Sequence, residues 1–406
     1  MSLGAQLARL HRENGVVGSD STSDELQQRL KRLQAKGQRR AVAGSGFSDE
    51  KLAAHLGGNL IAPGVVRVDE RLSLVTRHGV VSLSAIKKSS ALPGWKPVDV
   101  GRLLFMDTET TGLAGGSGTL AFMLGLGRLE GDDLVLRQYL LTSFAGEAAM
   151  LKDCADWLNG DERLVTYNGK SFDLPLLAGR SRMAAVPDSF SGLQHLDLLH
   201  PLRRVFRARW SGCGLSTAER KLIGFQRLND LSGAEAPEAW FDWIRRRDPG
   251  RLGGVLKHNR WDLISMVALL PLLSRAYLDP LKWGGELLPV ARSWSKAGRE
   301  DLALGLLENR QSGLSPPGLA ELARIHRRHG AWGKACAIWS RLSAAGDVEA
   351  TEALAKYHEH VARDLPTAYR FSIGLPDGRA RSKRCRRLSA KINPGQQTMD
   401  LFASAP

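Results

Sequence analysis

Residues 103–113 read LLFMDTETTGL and decide the fold of this chain. The first four residues are apolar, as in a buried strand, and two carboxylates follow directly. Because side chains alternate along a strand, Asp107 and Glu109 face the same side. Paired carboxylates are the ligands that Mg²⁺ and other hard cations prefer. The stretch therefore predicts a strand that ends at a cation site, although an isolated Asp-x-Glu triplet is usually a solvated strand end.

Two later segments supply the further carboxylates that a site for two cations needs. Residues 163–169 read RLVTYNG, a strand that runs into a glycine turn, and Asp173 then opens a helical stretch. Residues 255–262 read VLKHNRWD and lead into an apolar helix. His258 and Asp262 are four residues apart and share one helix face. Singly, these residues are equally well a helix cap, a structural histidine and a solvated aspartate, so the order of the segments is the informative feature.

The segments DTETTGL, YNGKSFDLPLL and HNRWDLISM resemble, in this order, the three motifs of the DEDD 3′–5′ exonuclease superfamily. The similarity is greatest to its YprB-like branch of bacterial proteins and covers residues 98–277. This resemblance implies an α/β fold, a ribonuclease-H-like mixed five-stranded sheet with helices on both faces. It also implies hydrolysis of phosphodiester bonds in single-stranded DNA or RNA with two Mg²⁺ or Mn²⁺ ions.

The resemblance further implies a role for each residue of the motifs. Asp107 would bridge both metals, and Glu109 and Asp262 would hold the nucleophile-side metal. Asp173 would hold the second metal, often through water. His258 would be the general base that takes a proton from the attacking water, a role that suits an imidazole.

The general base departs from the family pattern in its spacing. In the histidine subclass the base lies five residues before the last aspartate, and in the tyrosine subclass a tyrosine lies four before it. Here Lys257 lies five residues before Asp262 and His258 lies four before it. The chain therefore combines the tyrosine spacing with a histidine.

By the same resemblance, five residues are predicted substrate contacts: Thr108, Leu113, Tyr167, Asn168 and Asn259. Leu113 resembles the apolar wedge that packs against the last base, whereas Tyr167 and Asn168 would line the sugar or base of the terminal nucleotide. Asn259 would contact the substrate or support one of the metal ligands.

The chain is strongly basic, with 57 Lys and Arg against 42 Asp and Glu and a formal charge of +15. Clustered cations attract phosphate backbones. Residues 203–210, RRVFRARW, interleave such charges with aromatic rings that suit stacking on unpaired bases, and residues 245–247 are a second cluster. A solvated helix face is an equal alternative for each. Asp197, nearby, is expected to cap a turn or pair with Arg203 or Arg204.

The pattern along the chain predicts four regions: a helical and short-strand lead-in at 1–97, the exonuclease domain at 98–280, a helical repeat domain at 281–390 and a disordered tail at 391–406. The lead-in would cover an edge of the catalytic sheet. In the third region Val290, Leu322 and Leu354, each followed by Ala, recur every 32 residues, which resembles tetratricopeptide repeats. Such repeats would bind a peptide or protein, or act as a buttress for the nuclease.

Several absences indicate a cytosolic protein. The first residues lack a signal-peptide pattern. The apolar stretch after Asp262 is interrupted by Ser265 and Pro271, and it is expected to be too short to span a bilayer. The four cysteines are scattered, which favours neither a disulfide framework nor a zinc site.

The tail carries one distinct motif. Residues 397–402 read QTMDLF and resemble the short peptides by which bacterial replication and repair enzymes hold the sliding clamp. Met399, Leu401 and Phe402 would enter an apolar pocket, and Gln397 would make the orienting hydrogen bonds. The alternative is that Leu401 and Phe402 fold back onto the helical domain. Clamp binding would favour DNA as the substrate.

Two functions are consistent with the sequence. The first is a metal-dependent 3′–5′ exonuclease, and the second is a non-catalytic nucleic-acid-binding scaffold on a decayed nuclease fold. Decay usually removes the carboxylates, and all four are present, which favours the enzyme. DNA or RNA preference stays open because recognition of the 2′-hydroxyl depends on pocket shape, and endonucleolytic action of the same fold also stays open.

Overall fold

The computed structural model describes residues 46–89, 91–96, 99–112 and 118–393. Some of the predicted sites lie outside the described residues, namely Leu113 and the clamp-binding residues Gln397, Met399, Leu401 and Phe402. Residues 1–45 of the predicted lead-in lie outside them as well.

A mixed sheet of seven strands is built around the strand that carries the acidic motif. In chain order the strands are β1 (Asn59–Ala62), β2 (Val65–Ser73), β3 (Arg77–His78), β4 (Val81–Ser82), β5 (Leu103–Thr110), β6 (Ala121–Glu130), β7 (Asp133–Leu141), β8 (Arg163–Thr166) and β9 (Gln194–Asp197). The order across the sheet is β1-β2-β7-β6-β5-β8-β9, and β3 pairs separately with β4. Because β5 pairs antiparallel with β6 and parallel with β8, it lies inside the sheet.

Seven helices accompany the sheet in the described part of the chain before residue 280. They are α1 (Asp49–His55), α2 (Glu147–Asp156), α3 (Asp173–Met183), α4 (Leu199–Phe206), α5 (Leu215–Ala218), α6 (Ala236–Arg246) and α7 (Leu252–Leu278). A π-helical turn, Glu219–Ile223, continues α5.

The apolar residues of β5 point alternately into two cores, one on each face of the sheet. Leu103 and Phe105 belong to a cluster that includes residues of α4, whereas Leu104 and Met106 belong to a cluster that includes residues of α2 and α6. The helices therefore cover both faces. The predicted α/β class and its mixed sheet with helices on both faces are confirmed.

Five of the seven strands, β5 to β9, lie in the predicted nuclease region, which confirms the predicted five-stranded sheet there, and two further strands come from the lead-in. β1 and β2 extend the sheet, since β2 pairs antiparallel with β7 over its full length, from Val65 opposite Leu141 to Ser73 opposite Asp133. Part of the lead-in region thus covers an edge of the sheet, as the sequence predicts, and it does so by adding strands.

Helix α7 has 27 residues and continues through Ser265 and Pro271. The expectation that this stretch is too short to span a bilayer was wrong in its length. Among the described residues α7 is the one helix long and apolar enough to cross a membrane. However, 78% of its apolar window is buried inside the fold, as is usual for the core helix of a protein.

The C-terminal region is helical, as predicted. Its helices are α8 (Leu287–Lys296), α9 (Glu300–Glu308), α10 (Pro316–Arg328), α11 (Trp332–Ala344), α12 (Val348–His360), α13 (Leu365–Ile373) and α14 (Arg379–Ile392). Consecutive helices pack as hairpins, and Gly298 and Gly330 adopt positive φ at equivalent turns. The repeated residues Val290, Leu322 and Leu354 are all buried.

These helices pack against the α/β domain. One apolar cluster runs without a break from the α/β domain into α12. The Glu286 N–H donates to the Val205 carbonyl at 2.8 Å, and the Trp294 indole donates to the Tyr277 carbonyl at 3.1 Å. These contacts are those that the buttress alternative requires.

Candidate active site

Asp107 and Glu109 lie near the end of β5, inside the sheet. The preceding apolar residues fix this strand in both cores, so the two carboxylates emerge at a defined place. Glu109 is only 7% exposed. Burial of this extent is costly for a carboxylate unless a proton or a cation neutralises it.

Asp173 reaches the site from the first turn of α3. The Thr108 hydroxyl donates to its carboxylate, which links α3 to β5. The turn that leads into α3 is closely packed, because a Cβ at Gly169 would lie 2.6 Å from the Thr166 hydroxyl oxygen. Asn168 adopts a positive φ of 70° in this turn.

Asp197 holds the same turn from β9. Its carboxylate accepts the backbone N–H groups of Asn168 at 2.7 Å and Lys170 at 3.1 Å. The expectation that Asp197 caps a turn is met. Its ion contact is with His200, at 3.8 Å, and among the described residues it makes none with the arginines at positions 203 and 204.

His258 and Asp262 lie one turn apart on α7, and both point towards Glu109. His258 Nε2 is 3.6 Å from Asp262 Oδ2 and 4.0 Å from Glu109 Oε1. These three residues place one potential ligand atom each within 4.8 Å of one another. Asp107 and Asp173 do not belong to this close group, but their charges act on it and on each other.

The pKa values of the carboxylates are raised. Burial, followed by the charges of the other three carboxylates, raises the pKa of Asp107 well above its usual range. Burial and the charges of Asp262 and Asp173 raise the pKa of Glu109 to about 8. Burial also raises the pKa of Asp173 and of Asp262, although the Arg227 guanidinium opposes the shift at Asp262. The surroundings thus leave negative charge uncompensated, and the oxygen-rich set fits divalent cations.

Asn259, on α7, forms hydrogen bonds with Asp107 and does not line the cavity. It is fully buried, and its amide donates to the Asp107 carbonyl at 3.2 Å and to Asp107 Oδ2 at 2.9 Å. Gln138 fixes the amide orientation by donating to Asn259 Oδ1 at 2.8 Å. A Cβ at Gly125 would lie 2.0 Å from the same oxygen, so only glycine leaves room for it. Of the two alternatives, the structure shows the contact with Asp107, a predicted metal ligand.

Asp230, which lies outside the four carboxylates, forms a hydrogen bond with the imidazole of His258. Asp230 Oδ2 lies 2.8 Å from His258 Nδ1 and 3.2 Å from the Arg227 guanidinium. When Nδ1 carries the proton, it donates to Asp230, and Nε2 is left free to accept a proton on the side of Glu109 and Asp262.

Arg227 joins this pair to Asp262. It donates to Asp262 Oδ1 and forms a forked ion pair with Glu219, at 2.6 and 2.9 Å. Glu219 also accepts the Ser265 hydroxyl at 2.5 Å. The two oxygens of Asp262 therefore differ, since Oδ1 is held by Arg227 and Oδ2 faces His258.

Four of these supporting residues were not predicted from the sequence: Gln138, Glu219, Arg227 and Asp230. For Arg227 and Asp230 the sequence offers no signal, because they lie in a polar loop without periodicity. Glu219 carries a weak signal in the sequence, since its carboxylate interrupts the apolar face of an amphipathic pattern; the structure adds that it begins a π-helical turn, a feature common near functional sites.

A cavity of about 460 Å³ opens beside the carboxylates. Its lining includes Asp107 and Asp173 together with the predicted substrate contacts Thr108, Tyr167 and Asn168. The Tyr167 hydroxyl donates to the Cys213 carbonyl at 2.5 Å. Phe172, on the same lining, is 52% exposed and offers a ring to the cavity.

The basic clusters noted in the sequence contribute less than expected. Phe206 is fully buried and stacks on Trp210 at 4.2 Å, so this ring is not available to bases. In the second cluster, Arg247 pairs with Asp49 at 2.5 Å and Arg246 lies 3.6 Å from Asp242. Phe206 is therefore a core residue, and these two arginines are engaged by carboxylates of the fold.

Comparison with known proteins places this site in a family context. Residues 104–274 match the family model of the RNase_H superfamily. The chain is 31% identical over 317 residues to the uncharacterized protein YprB of Bacillus subtilis (strain 168), a match that covers 72% of this chain and 75% of that protein. A solved structure of the family B DNA polymerase from Pyrobaculum calidifontis aligns with a TM-score of 0.36 at 14% identity, over 70% of this chain. The aligned part spans 36% of the polymerase.

Proposed function

The chain belongs to the family of the Bacillus subtilis protein YprB, and on this premise we propose that it is a metal-dependent 3′–5′ exonuclease of the DEDD type. Its substrate would be single-stranded DNA or RNA. The RNase H-like domain provides the nuclease fold. The finer assignment is supported by the site.

One observation carries the proposal. Four carboxylates from three separate elements, β5, α3 and α7, meet beside a cavity and raise the pKa values of one another. A fold that needed only stability would not keep such repulsion, since unpaired buried charges destabilise a protein by several kcal/mol. Divalent cations would relieve it.

The donor set fits two Mg²⁺ or Mn²⁺ ions. We propose that Asp107 would serve both ions, that Glu109 and Asp262 would hold the ion on the nucleophile side, and that Asp173 would hold the other. When bound, such ions lower the pKa of the attacking water and stabilise the attacking and leaving oxygens. Thr108 and Asn259 orient the ligands Asp173 and Asp107 through hydrogen bonds.

The protein's own groups would position the substrate and move the proton. His258 Nε2 is the free nitrogen when the Nδ1–H group donates a hydrogen bond to Asp230, and Nε2 would take a proton from the attacking water. Tyr167, Asn168 and the exposed ring of Phe172 line the cavity in which the terminal nucleotide would lie. Base stacking on an aromatic ring is tolerant of sequence, which suits an exonuclease.

A digestion panel tests the proposal. Single and double strands of DNA and RNA, labelled at the 5′ end, are incubated with Mg²⁺, Mn²⁺ or EDTA. A 3′–5′ exonuclease gives a ladder that shortens with time, and a phosphorothioate at the 3′ terminus slows it. Asp262→Asn should be inactive, and Asp279→Asn, at the end of the same helix and outside the site, is the matched control.

The other outcomes separate the alternatives. Internal cleavage of a circular strand would indicate an endonuclease on the same fold. Binding without cleavage under all metal conditions would support the non-catalytic scaffold and contradict the proposal.

The finer description of the helical domain belongs to the same proposal. We propose that it is a tetratricopeptide-like array, because its hairpins repeat Val290, Leu322 and Leu354 at equivalent buried positions. Its contacts with the α/β domain support a buttress that holds α7, the helix of His258 and Asp262.

A further inference from the structure

The last described helix, α14, is the most basic of the described elements. Between Arg379 and Ile392 it carries seven Lys or Arg residues and no Asp or Glu. Its charge of +7 is nearly half of the net +15 of the protein. Such a density of like charge opposes helix formation unless something compensates it.

One face of α14 has this compensation. Leu388 is fully buried, and Arg384 and Arg387 pair with Glu352 and Glu359 of α12 at 2.9 and 2.7 Å. Glu359 has no exposed side-chain surface, so its pair with Arg387 is shielded from solvent on that side. This face therefore attaches α14 to the helical domain.

The opposite face has three basic residues that lack such partners. Arg379, Lys383 and Arg386 are exposed, and within the described part of the chain no carboxylate lies within ion-pair distance of them. Their spacing of four and three residues places them within about 60° of one another on a helix. We call these three residues the basic stripe; at about 1.5 Å per residue it extends over about 10 Å.

We propose that the basic stripe of α14 binds the phosphate backbone of the nucleic acid. This inference rests on the proposed function only for the identity of its partner. A single strand carries one negative charge per phosphate and the stripe presents three cations, so the stripe can contact about three phosphates. Its side chains are long and carry no base-reading geometry, and binding is therefore independent of sequence.

An anionic membrane surface is a poorer match for the stripe. Helices that lie on membranes insert large apolar side chains beside their basic residues. The remaining exposed residues of α14 are Ala380, Ser382, Arg387, Ser389 and Lys391, none of which is apolar and large. The buried Leu388 faces the helical domain.

The salt dependence of binding tests the stripe. The full chain and a triple variant, Arg379→Gln with Lys383→Gln and Arg386→Gln, are titrated against a fluorescein-labelled single strand of mixed sequence in EDTA, so that cleavage plays no part. Each lost phosphate contact lowers the slope of log K against log salt by about 0.7, or about 2 for the three. The affinity advantage of the unmodified chain should therefore shrink about fifteen- to twenty-fold between 50 and 200 mM salt.

A second triple variant removes the same charge elsewhere. Lys282, Lys296 and Arg310 are exposed and scattered over the same domain, and their replacement by Gln should leave the slope within about 0.7 of its original value. Equal thermal unfolding of both variants shows that the fold is intact.

Two results of the salt titration would contradict phosphate binding by the stripe: an unchanged slope in the first variant, or equal slopes in both variants. A third result would also contradict it, namely that the first variant binds the strand normally and has lost binding to vesicles of phosphatidylserine and phosphatidylcholine. These results are independent of the nuclease assay. A chain that binds through the stripe and fails to cleave would contradict the proposed function alone.

Discussion

In the absence of divalent cations, the free energy of unfolding of the chain should decrease as the pH rises. The pKa of Glu109 is about 8 in the folded chain, against an ordinary value of 4.5. Between these two values the folded state keeps a proton that the unfolded state releases. The free energy of unfolding therefore decreases with pH; the contribution is fully present below pH 4.5 and is lost as the pH rises through 8.

The magnitude follows from the shift. For Glu109 alone, the free energy of unfolding should fall by about 2.5 kcal/mol between about pH 5.5 and 7.5, since one pKa unit corresponds to about 1.4 kcal/mol. The raised pKa values of Asp107, Asp173 and Asp262 act in the same direction. Cations bind the deprotonated carboxylates, so the stabilisation by Mg²⁺ should increase over the same interval.

Urea unfolding followed by tryptophan fluorescence measures this quantity, in EDTA and in Mg²⁺. Burial lowers the pKa of His78 to about 4, which acts in the opposite direction in this interval. The decisive measurement is therefore the difference between the chain and Glu109→Gln, with the exposed Glu238→Gln as control. If Glu109→Gln shows the same pH slope as the unmodified chain in EDTA, or if Mg²⁺ stabilises both equally at each pH, the electrostatic argument for a cation site is refuted.

Further predictions concern the ligands and their supports. Asp107→Asn should abolish cleavage while strand binding in a gel-shift assay persists, and undiminished cleavage would refute the nuclease. His258→Ala should lower kcat by about two to four orders of magnitude. Asp230→Ala should also lower kcat, and by much less in a chain that already carries His258→Ala; equal losses in both backgrounds would show that Asp230 does not act through the imidazole. Gly125→Ala should lower the free energy of unfolding by about 1–3 kcal/mol and reduce cleavage, because its methyl group would lie 2.0 Å from Asn259 Oδ1; unchanged urea unfolding would contradict this.

The sequence correctly predicted the strands, turns and helices whose residue pattern is contained within a short segment. The apolar run before Asp107, the turn before Asp173 and the helix that contains His258 and Asp262 are each legible within about ten residues. The pairing of β2 with β7 is different, because its partners lie some 70 residues apart and the register depends on contacts between them. A strand pattern shows that a strand exists and does not show where it joins the sheet.

The residues that hydrogen-bond the carboxylates of the site could not be predicted from local sequence patterns, for the same reason. Asn259 supports a ligand because Gly125, on a strand more than 130 residues earlier, leaves space for its side chain. Gln138 fixes the amide from a third element. Polar residues that converge from distant segments carry no periodicity, so only the folded chain reveals their roles.

Arg227 fixes the position of the Asp262 carboxylate and leaves room for cations at the site. A guanidinium placed among the ligands could have filled the cation position, but its fork is engaged by Glu219, whose side chain is 2% exposed. Arg227 holds only Oδ1 of Asp262, and Oδ2 faces His258 and the side of Glu109. One oxygen thus fixes the carboxylate while the other remains available as a ligand. Because Glu219 and Asp230 also face the single charge of Arg227, the carboxylates of the site keep an excess of negative charge, and divalent cations would neutralise this excess.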